Sequence, residues 1–262
     1  MDYYRLGRAL KYYIFSRHRR GHGIHSPFVF DFINTVFRKD IPAEVNGTIS
    51  GVRKIMEESN EILTINDLGA GSQCLSSPRR SISDISRKSS IRKRYGKVLY
   101  NIAQSYNGSN ILELGTSLGI STLYLALGAP ESKIISIEGC KILSNKAKEN
   151  ILRCNIDNTD IITGDFDQEL KYVRSMGFSP SLVFIDGNHR KEPVLRYFTL
   201  LKEFIGPDSA IIFDDINYSS EMLEAWNEIK SNFQVSVSID IFQMGLVFFR
   251  GGIVKQDYVI RY

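Results

Sequence analysis

From Tyr95 onward, short apolar runs alternate with amphipathic segments. Each of five such runs is followed by a helix-like pattern. The runs are NILELG (110–115), KIISIE (133–138), DIIT (160–163), SLVFID (181–186) and SAIIFDD (209–215). Nearly continuous apolar strands that alternate with helices are typical of a parallel sheet covered on both faces. The sequence therefore predicts an α/β fold with a mostly parallel sheet.

Two further strands are expected near the end of the chain. QVSVSID (234–240) alternates polar and apolar residues, which indicates a less buried strand. A short link joins it to MGLVFFR (244–250), and a link of this length suits an antiparallel hairpin that ends the sheet.

The charge distribution divides the chain into two parts. Residues 1–94 hold 17 Lys and Arg against 9 Asp and Glu, a net charge of +8, whereas residues 95–262 have a net charge of −4. We therefore treat 1–94 as a basic N-terminal region, helical or irregular, and 95–262 as the main domain. The basic surface of the N-terminal region is either simply solvated or suited to an anionic substrate, a membrane surface or nucleic acid.

Within the N-terminal region, helices are expected over 3–15, 27–37 and 52–63, where apolar residues recur at helical spacing. Residues 76–94 contain seven Ser, seven Arg or Lys and few apolar residues. This composition predicts a flexible surface segment.

The composition also bears on the cellular compartment. No apolar run in the 262 residues approaches the ~20 that a membrane helix needs, and the first residues lack the apolar core of a secretory signal. Three cysteines without a CxxC pair do not predict a disulfide framework. We therefore expect a cytoplasmic protein.

The loop after the first predicted strand is the first candidate for a binding site. It reads Glu113, Leu114, Gly115, Thr116, Ser117, Leu118, Gly119. Two glycines allow a sharp turn and close approach of the backbone to a ligand, and the helix that follows offers free N–H groups. The GxxxG spacing departs from the GxGxxG of dinucleotide sites. A carboxylate at Glu113 would repel a pyrophosphate but suits the ammonium group of S-adenosylmethionine.

The next two strands also end in groups that suit an adenosine. Glu138 follows the second strand, where an acid can accept hydrogen bonds from ribose hydroxyls. Asp165 and Phe166 follow the third strand, and they can contact an adenine by a hydrogen bond and by the ring. Together with the glycine loop, these residues predict a site for an adenosine-bearing cofactor.

Three carboxylates follow the fourth and fifth strands at the same sheet edge. Asp186 ends one strand, and Asp214 and Asp215 end the next. Without a cation they would repel one another and raise at least one pKa, so we expect Mg²⁺ here, with helix capping and surface acids as the alternative. His189 lies one turn beyond Asp186 and is a candidate base for a substrate hydroxyl.

Two other patterns are weaker. Residues 65–72 (INDLGAGS) also form a glycine-rich segment after an acid, but an amphipathic helix does not follow it, so we interpret it as a turn. His18, His22 and His25 are spaced like zinc ligands, but glycines interrupt them and no cysteine is near, so zinc is not expected.

The motifs ILELGTSLGISTLYLA (111–126), SIEG (136–139), TGDF (163–166), FIDGNH (184–189) and FDDINYSSEMLEAW (213–226) resemble class I S-adenosylmethionine-dependent methyltransferases. More narrowly, they resemble the catechol O-methyltransferase-like group, which includes metal-dependent sugar O-methyltransferases of macrolide biosynthesis. The resemblance covers roughly residues 95–250. It implies a Rossmann-like methyltransferase fold with a seven-stranded sheet of order 3-2-1-4-5-7-6 and helices on both faces.

The resemblance also implies roles for residues. Glu113 and Gly115 would face the methionine end of the cofactor, and Ser121 would help to bind its carboxylate. The remaining cofactor contacts would come from Thr116, Ser117, Gly119, Glu138, Asp165, Phe166 and Asp186. Asp186, Asp214 and Asp215 would hold the metal. His189 would be the base, as in the sugar enzymes, with Lys191 as a rival; an acid at 215, where catechol-type enzymes usually have Asn, puts a catechol substrate in doubt.

These features predict O-methylation of a hydroxyl group on a small molecule. The alternatives are metal-independent methylation of RNA or protein, a non-catalytic cofactor-binding protein and an NAD-dependent dehydrogenase. No NPPY-like tetrad for nitrogen acceptors and no RNA-binding module is present, so nucleic acid is not the expected partner. The N-terminal helix and residues 95–106 could form a homodimer contact or belong to the ordinary core.

Overall fold

The computed structural model describes residues 3–16, 23–65 and 79–262. The helices are α1 (Tyr3–Phe15), α2 (Pro27–Phe32), α3 (Ala43–Glu57), α4 (Ile82–Ser89), α5 (Lys93–Ser105), α6 (Ile120–Gly128), α7 (Lys141–Arg153), α8 (Phe166–Ser175), α9 (Lys191–Leu201) and α10 (Ser220–Ser231). A π-helical turn, Ile33–Phe37, continues α2. The strands are β1 (Ile62–Thr64), β2 (Arg79–Ser81), β3 (Ile111–Leu114), β4 (Ile134–Glu138), β5 (Thr159–Thr163), β6 (Leu182–Ile185), β7 (Ala210–Phe213), β8 (Val237–Asp240), β9 (Gly245–Phe248) and β10 (Gln256–Val259).

The main sheet has the order β10-β8-β9-β7-β6-β3-β4-β5. Strands β3 to β7 run parallel, and β9 is antiparallel to both β7 and β8. If the strands are numbered from β3, this is the predicted order 3-2-1-4-5-7-6 with one strand added at the edge. Because β3 to β7 are parallel, their carboxyl ends meet along one edge of the sheet.

The predicted count of seven strands is wrong for this sheet, which has eight within the described residues. The additional strand, β10, pairs in parallel with β8. Only alternate residues of its QDYV sequence are even partly buried, so it lacks the continuous apolar run by which β3 to β7 were identified. A short edge strand of this kind gives almost no sequence signal.

Two apolar layers cover the sheet. Helices α8, α9 and α10 pack on one face. The other face is covered by α2, α3, α4, α5, α6 and α7, which share one hydrophobic cluster with the sheet. The described residues of 27–65 and 79–91 therefore contribute to the same core as the main domain, and residue 94 does not separate two cores.

The helix predicted over 52–63 is wrong in both position and length. Helix α3 begins nine residues earlier, at Ala43, and Ile62–Thr64 is a strand that pairs with β2. Gly47, Thr48 and Gly51 weaken the local helix signal. The helix forms because Ile49, Val52, Arg53 and Met56 recur on one buried face.

The described part of 76–94 is regular rather than an irregular surface segment. It contains β2, α4 and the start of α5. Ser81 caps α4 by accepting a hydrogen bond from the Asp84 N–H, and Ile82 and Ile85 are buried beside α3. Two isoleucines at i and i+3 are enough to fix a short helix when a neighbouring helix supplies the other half of the contact.

Several predicted features lie outside the described residues. These are His18, His22, Cys74, residues 66–72 of the second glycine-rich segment and residues 76–78 of the Ser- and Arg-rich segment.

Candidate active site

A cavity of about 690 Å³ lies at the edge where the parallel strands end. Of the predicted cofactor residues, six line it: Gly115, Ser117, Glu138, Asp165, Phe166 and Asp186. The other four, Glu113, Thr116, Gly119 and Ser121, are not part of its lining. The structure also brings His189, Asp214 and Asp215 into the same cavity.

The turn after β3 depends on Gly115. Its φ is +100°, and a Cβ at this position would lie 2.0 Å from the carbonyl oxygen of Asp186. No other residue fits without moving the backbone. The close approach of these two strand ends brings the glycine loop against the loop that carries Asp186 and His189.

Glu113 lies beneath this turn rather than in the cavity. Its side chain is fully buried, and one carboxylate oxygen accepts hydrogen bonds from the hydroxyls of Thr122 (2.5 Å) and Ser136 (2.6 Å). The other oxygen, Oε1, has no hydrogen-bond partner. Burial raises the pKa of Glu113, and the nearby hydroxyls lower it less. Glu113 is therefore a buried acceptor that supports the turn from below.

Glu138 is held at the cavity wall by two backbone groups. One carboxylate oxygen accepts the N–H of Ser117 at 2.7 Å, and the other accepts the N–H of Cys140 at 2.9 Å. A carboxylate oxygen can accept more than one hydrogen bond. The two amides fix the carboxylate in one orientation, as recognition of a vicinal diol requires.

Asp165 and Phe166 stand at the start of α8. The Asp165 side chain caps this helix by accepting from the N–H groups of Asp167 and Gln168. The Phe166 ring packs edge-on against Tyr197, with 5.6 Å between ring centroids. Phe166 therefore presents a fixed aromatic surface to the cavity, in contact with the backbone near Gly187.

The acidic cluster spans the ends of β6 and β7. The Asp186 N–H donates to the carbonyl of Leu114, and the Asp214 N–H donates to that of Ile185, so each acid is fixed to the neighbouring strand. Burial raises the pKa of Asp186 well above its ordinary value, and the charges of Asp214 and Asp215 raise it further. Burial raises the pKa of Asp214 as well, and the charge of Asp215 raises it further.

The donor chemistry of this cluster suits a hard divalent cation. Asp214 Oδ1 is buried without a partner, whereas Oδ2 accepts from the Gln243 amide at 3.3 Å. Carboxylate oxygens are ligands that Mg²⁺ prefers, and a bound cation would offset the repulsion among the three acids. Within the described ranges, however, no group of three or more His, Cys, Asp or Glu side chains is arranged to hold a metal ion. Asp186, Asp214 and Asp215 line one cavity, and their role as metal ligands stays a prediction.

His189 lies at the same end of the cavity. Its Nε2 is 3.6 Å from Asp186 Oδ1, and its ring is 5.9 Å from that of Tyr218 between centroids. Burial lowers the pKa of His189 from its ordinary value of 6.5, and the charge of Asp215 opposes this less strongly. A lowered pKa favours the neutral imidazole, which is the form that can accept a proton.

Lys191 is not brought to the site. Its ammonium group pairs with Glu224 at 3.0 Å and Glu228 at 3.8 Å on α10, and it does not line the cavity. These carboxylates raise the pKa of Lys191, which keeps it protonated. The structure therefore does not bring Lys191 into the cavity with His189, because its ammonium group is paired at the surface.

Sequence reasoning missed other residues of the cavity. Arg5 reaches it from α1, with its guanidinium 4.0 Å from Asp215 and 5.3 Å from the centroid of the Tyr218 ring. Arg92 and Gln243 also line it. Arg5 and Gln243 are far from the motifs along the chain, so no local pattern could have identified them.

Comparison with known proteins agrees with this geometry. Residues 112–216 match a family model described as a methyltransferase domain. This range runs from the first strand of the parallel sheet to just beyond Asp214 and Asp215. Over these residues the chain is similar to methyltransferase domains.

Curated proteins that are similar to this part of the chain include two catechol O-methyltransferases. The one from Niastella koreensis is 30% identical over 138 residues, which are 52% of this chain and 62% of that protein. The one from Mycobacterium tuberculosis is 27% identical over 128 residues, 48% of this chain and 56% of that protein. The match to each of these two therefore spans less than two thirds of their length.

Solved methyltransferases share the fold. An O-methyltransferase from Bacillus cereus in complex with SAH has a TM-score of 0.57 at 20% identity, covering 84% of this chain and 97% of its own. An O-methyltransferase from Streptomyces achromogenes, involved in tomaymycin synthesis and solved with SAM, has a TM-score of 0.56 at 19% identity, covering 62% of this chain and 82% of its own. At 19% and 20% identity, these likenesses show the fold alone.

Proposed function

We propose that this protein transfers a methyl group from S-adenosylmethionine to a hydroxyl group of a small molecule. The observation that carries the proposal is one cavity that joins two kinds of group. Glu138, fixed by two backbone amides, stands at one end, and the imidazole of His189 with three carboxylates stands at the other. The catechol O-methyltransferase relatives support the same reaction class.

The first end suits the cofactor. Glu138 would accept hydrogen bonds from the ribose hydroxyls, and Phe166 would contact the adenine face. One carboxylate oxygen of Asp165 caps α8, so its other oxygen would accept a hydrogen bond from the adenine amine. The glycine turn at Gly115 lets the backbone approach the methionine part closely.

The second end suits the acceptor. The hydroxyl would lie near His189, which takes its proton while the oxygen attacks the methyl carbon. A carbon–oxygen bond forms as the carbon–sulfur bond breaks, and S-adenosylhomocysteine leaves. Much of the rate in such a displacement comes from holding the reacting atoms in line.

The proposal includes a bound Mg²⁺ ion. Asp186, Asp214 and Asp215 would hold it, and when bound it would lower the pKa of an acceptor hydroxyl. The unpartnered Asp214 Oδ1 supports this assignment, because a buried carboxylate oxygen without a partner is costly.

The test is transfer of labelled methyl from S-adenosylmethionine to a panel of diols, phenols and sugars, with Mg²⁺ and with chelator. Asp214→Asn should abolish turnover and leave cofactor affinity within about twofold. Asp160→Asn is the matched control and should keep full activity, because Asp160 is an exposed acid on the edge strand β5. Turnover that survives both chelator and Asp214→Asn would refute the metal role. If the label enters RNA or protein and none of the panel compounds, the small-molecule acceptor is refuted.

A further inference from the structure

Helix α1 presents an apolar stripe to solvent. Tyr3, Leu6, Leu10, Tyr13 and Ile14 recur at intervals of three and four residues, and each is between 57% and 83% exposed. No residue of this 13-residue helix is buried. A contiguous exposed stripe of large apolar side chains usually marks an interaction surface.

The outward direction of the stripe is fixed by the opposite face of α1. The Tyr4 hydroxyl donates to the Ser219 carbonyl at 3.0 Å, and Arg8 donates to the Asn217 side chain at 2.8 Å. The Tyr12 ring packs 5.2 Å from Phe242 between centroids. These contacts use the polar side of the helix, so the apolar side cannot turn inward without breaking them.

The stretch of sequence that contains this stripe carries charge of one sign. Residues 3–30 contain six Lys and Arg and no Asp or Glu. Lys11 is exposed on α1 itself. In the described part of the chain, no helix is long and apolar enough to cross a membrane. A helix of 13 residues that is apolar on one side and flanked by cations has the composition of a helix that lies in a bilayer interface.

Charge and apolarity together select the partner. A second copy of this chain would bring two acid-free, cationic segments together, and nucleic acid would not cover an apolar stripe. An anionic bilayer satisfies both features, since acyl chains take up the apolar side chains and headgroups attract the cations. We propose that α1 docks this protein on anionic membrane surfaces, with Tyr3, Leu6, Leu10, Tyr13 and Ile14 inserted at the interface.

Docking would have a consequence for the cavity. Arg5, on the inner side of α1, lines the acceptor end near Asp215. A bound membrane would therefore lie one helix away from that end. The membrane proposal does not depend on the proposed methyl transfer, and its test uses no turnover.

The experiment is co-sedimentation of the full chain with phosphatidylcholine vesicles, with and without about one third phosphatidylglycerol. We expect binding that requires phosphatidylglycerol and weakens several-fold in high salt. Leu6→Gln combined with Leu10→Gln should weaken partitioning at least tenfold, and Lys11→Glu several-fold. Leu152→Gln is the matched control, because Leu152 is 75% exposed on α7, away from the stripe.

All substitutions are at exposed positions, so thermal unfolding should show folded variants. Equal binding to neutral vesicles, or equal binding by wild type and the double variant, would overturn the proposal. So would an absence of vesicle binding together with a dimer that the double variant converts to a monomer, since a second copy would then cover the stripe.

Discussion

The guanidinium group of Arg5 lies 4.0 Å from the carboxylate of Asp215, although the two residues stand near opposite ends of the chain. The same group lies over the ring of Tyr218. Helix α1 thus supplies a cation to the end of the cavity where the acceptor is expected. A helix outside the methyltransferase motifs is part of the site.

Arg5→Gln should lower kcat/KM for the acceptor several-fold and leave cofactor affinity within about twofold. Stability should change by no more than ~1 kcal/mol, because a partly exposed ion pair contributes about 0–1 kcal/mol. Steady-state kinetics and calorimetry measure the two effects. Lys133→Gln removes the surface ion pair between Lys133 and Asp160, whose charged groups are 3.8 Å apart. This variant is the control and should change neither the acceptor kinetics nor the cofactor affinity. An equal loss of cofactor affinity and acceptor kinetics in Arg5→Gln would contradict this role.

Gly115→Ala should destabilise the fold and abolish cofactor binding. The left-handed backbone costs a side chain roughly 1–2 kcal/mol. Displacing the Asp186 carbonyl, 2.0 Å from the new Cβ, adds overpacking of about 1–3 kcal/mol. Urea denaturation measures the sum.

Gly108→Ala separates the two costs. Gly108 also has a positive φ, +83°, but a Cβ there meets nothing within 4 Å. It should therefore show the backbone cost alone and keep cofactor affinity. If both variants lose the same stability, the close approach at Gly115 has no energetic role.

The buried carboxyl of Glu113 predicts a pH-dependent difference. Burial raises its pKa above the ordinary value of 4.5, so the folded chain holds the proton more tightly than the unfolded chain does. Such a group favours folding at low pH, and this contribution is lost as pH rises through the folded pKa. Glu113→Gln cannot ionise, so its unfolding free energy relative to wild type should increase from about pH 4.5 upward.

Urea denaturation of both proteins at a series of pH values measures this difference. Glu131→Gln, at an exposed carboxylate, is the control and should give a flat difference. A difference for Glu113→Gln that stays constant between about pH 5 and pH 8 would mean that Glu113 does not titrate as a buried acid.

The parallel strands and the residues at their ends could be predicted because burial leaves a continuous apolar run. The runs at 182–185 and 210–213 show this pattern, and the acids that follow them, Asp186, Asp214 and Asp215, line the cavity. Glu113 was placed against the cofactor, but the structure places it beneath the turn, bonded to Ser136 on the adjacent strand. Sequence gives the strand end but not the side of the sheet to which its acid turns.

Other features depended on contacts that no local pattern encodes. Helix α4 forms where Ile82 and Ile85 meet α3, in a segment whose composition is typical of disorder. Lys191 is two residues from His189, yet α10 supplies the acids that hold it at the surface. Tertiary partners decided both outcomes.

The most direct measurement is a calorimetric titration of the wild-type chain and of Glu138→Gln with S-adenosylmethionine. The account predicts micromolar binding to wild type and a loss of about 10–100-fold in the variant, since an amide replaces a carboxylate that accepts charge-assisted hydrogen bonds. Glu131→Gln should bind like wild type. No binding to wild type, or equal binding by Glu138→Gln, would contradict the assignment of this cavity to the cofactor.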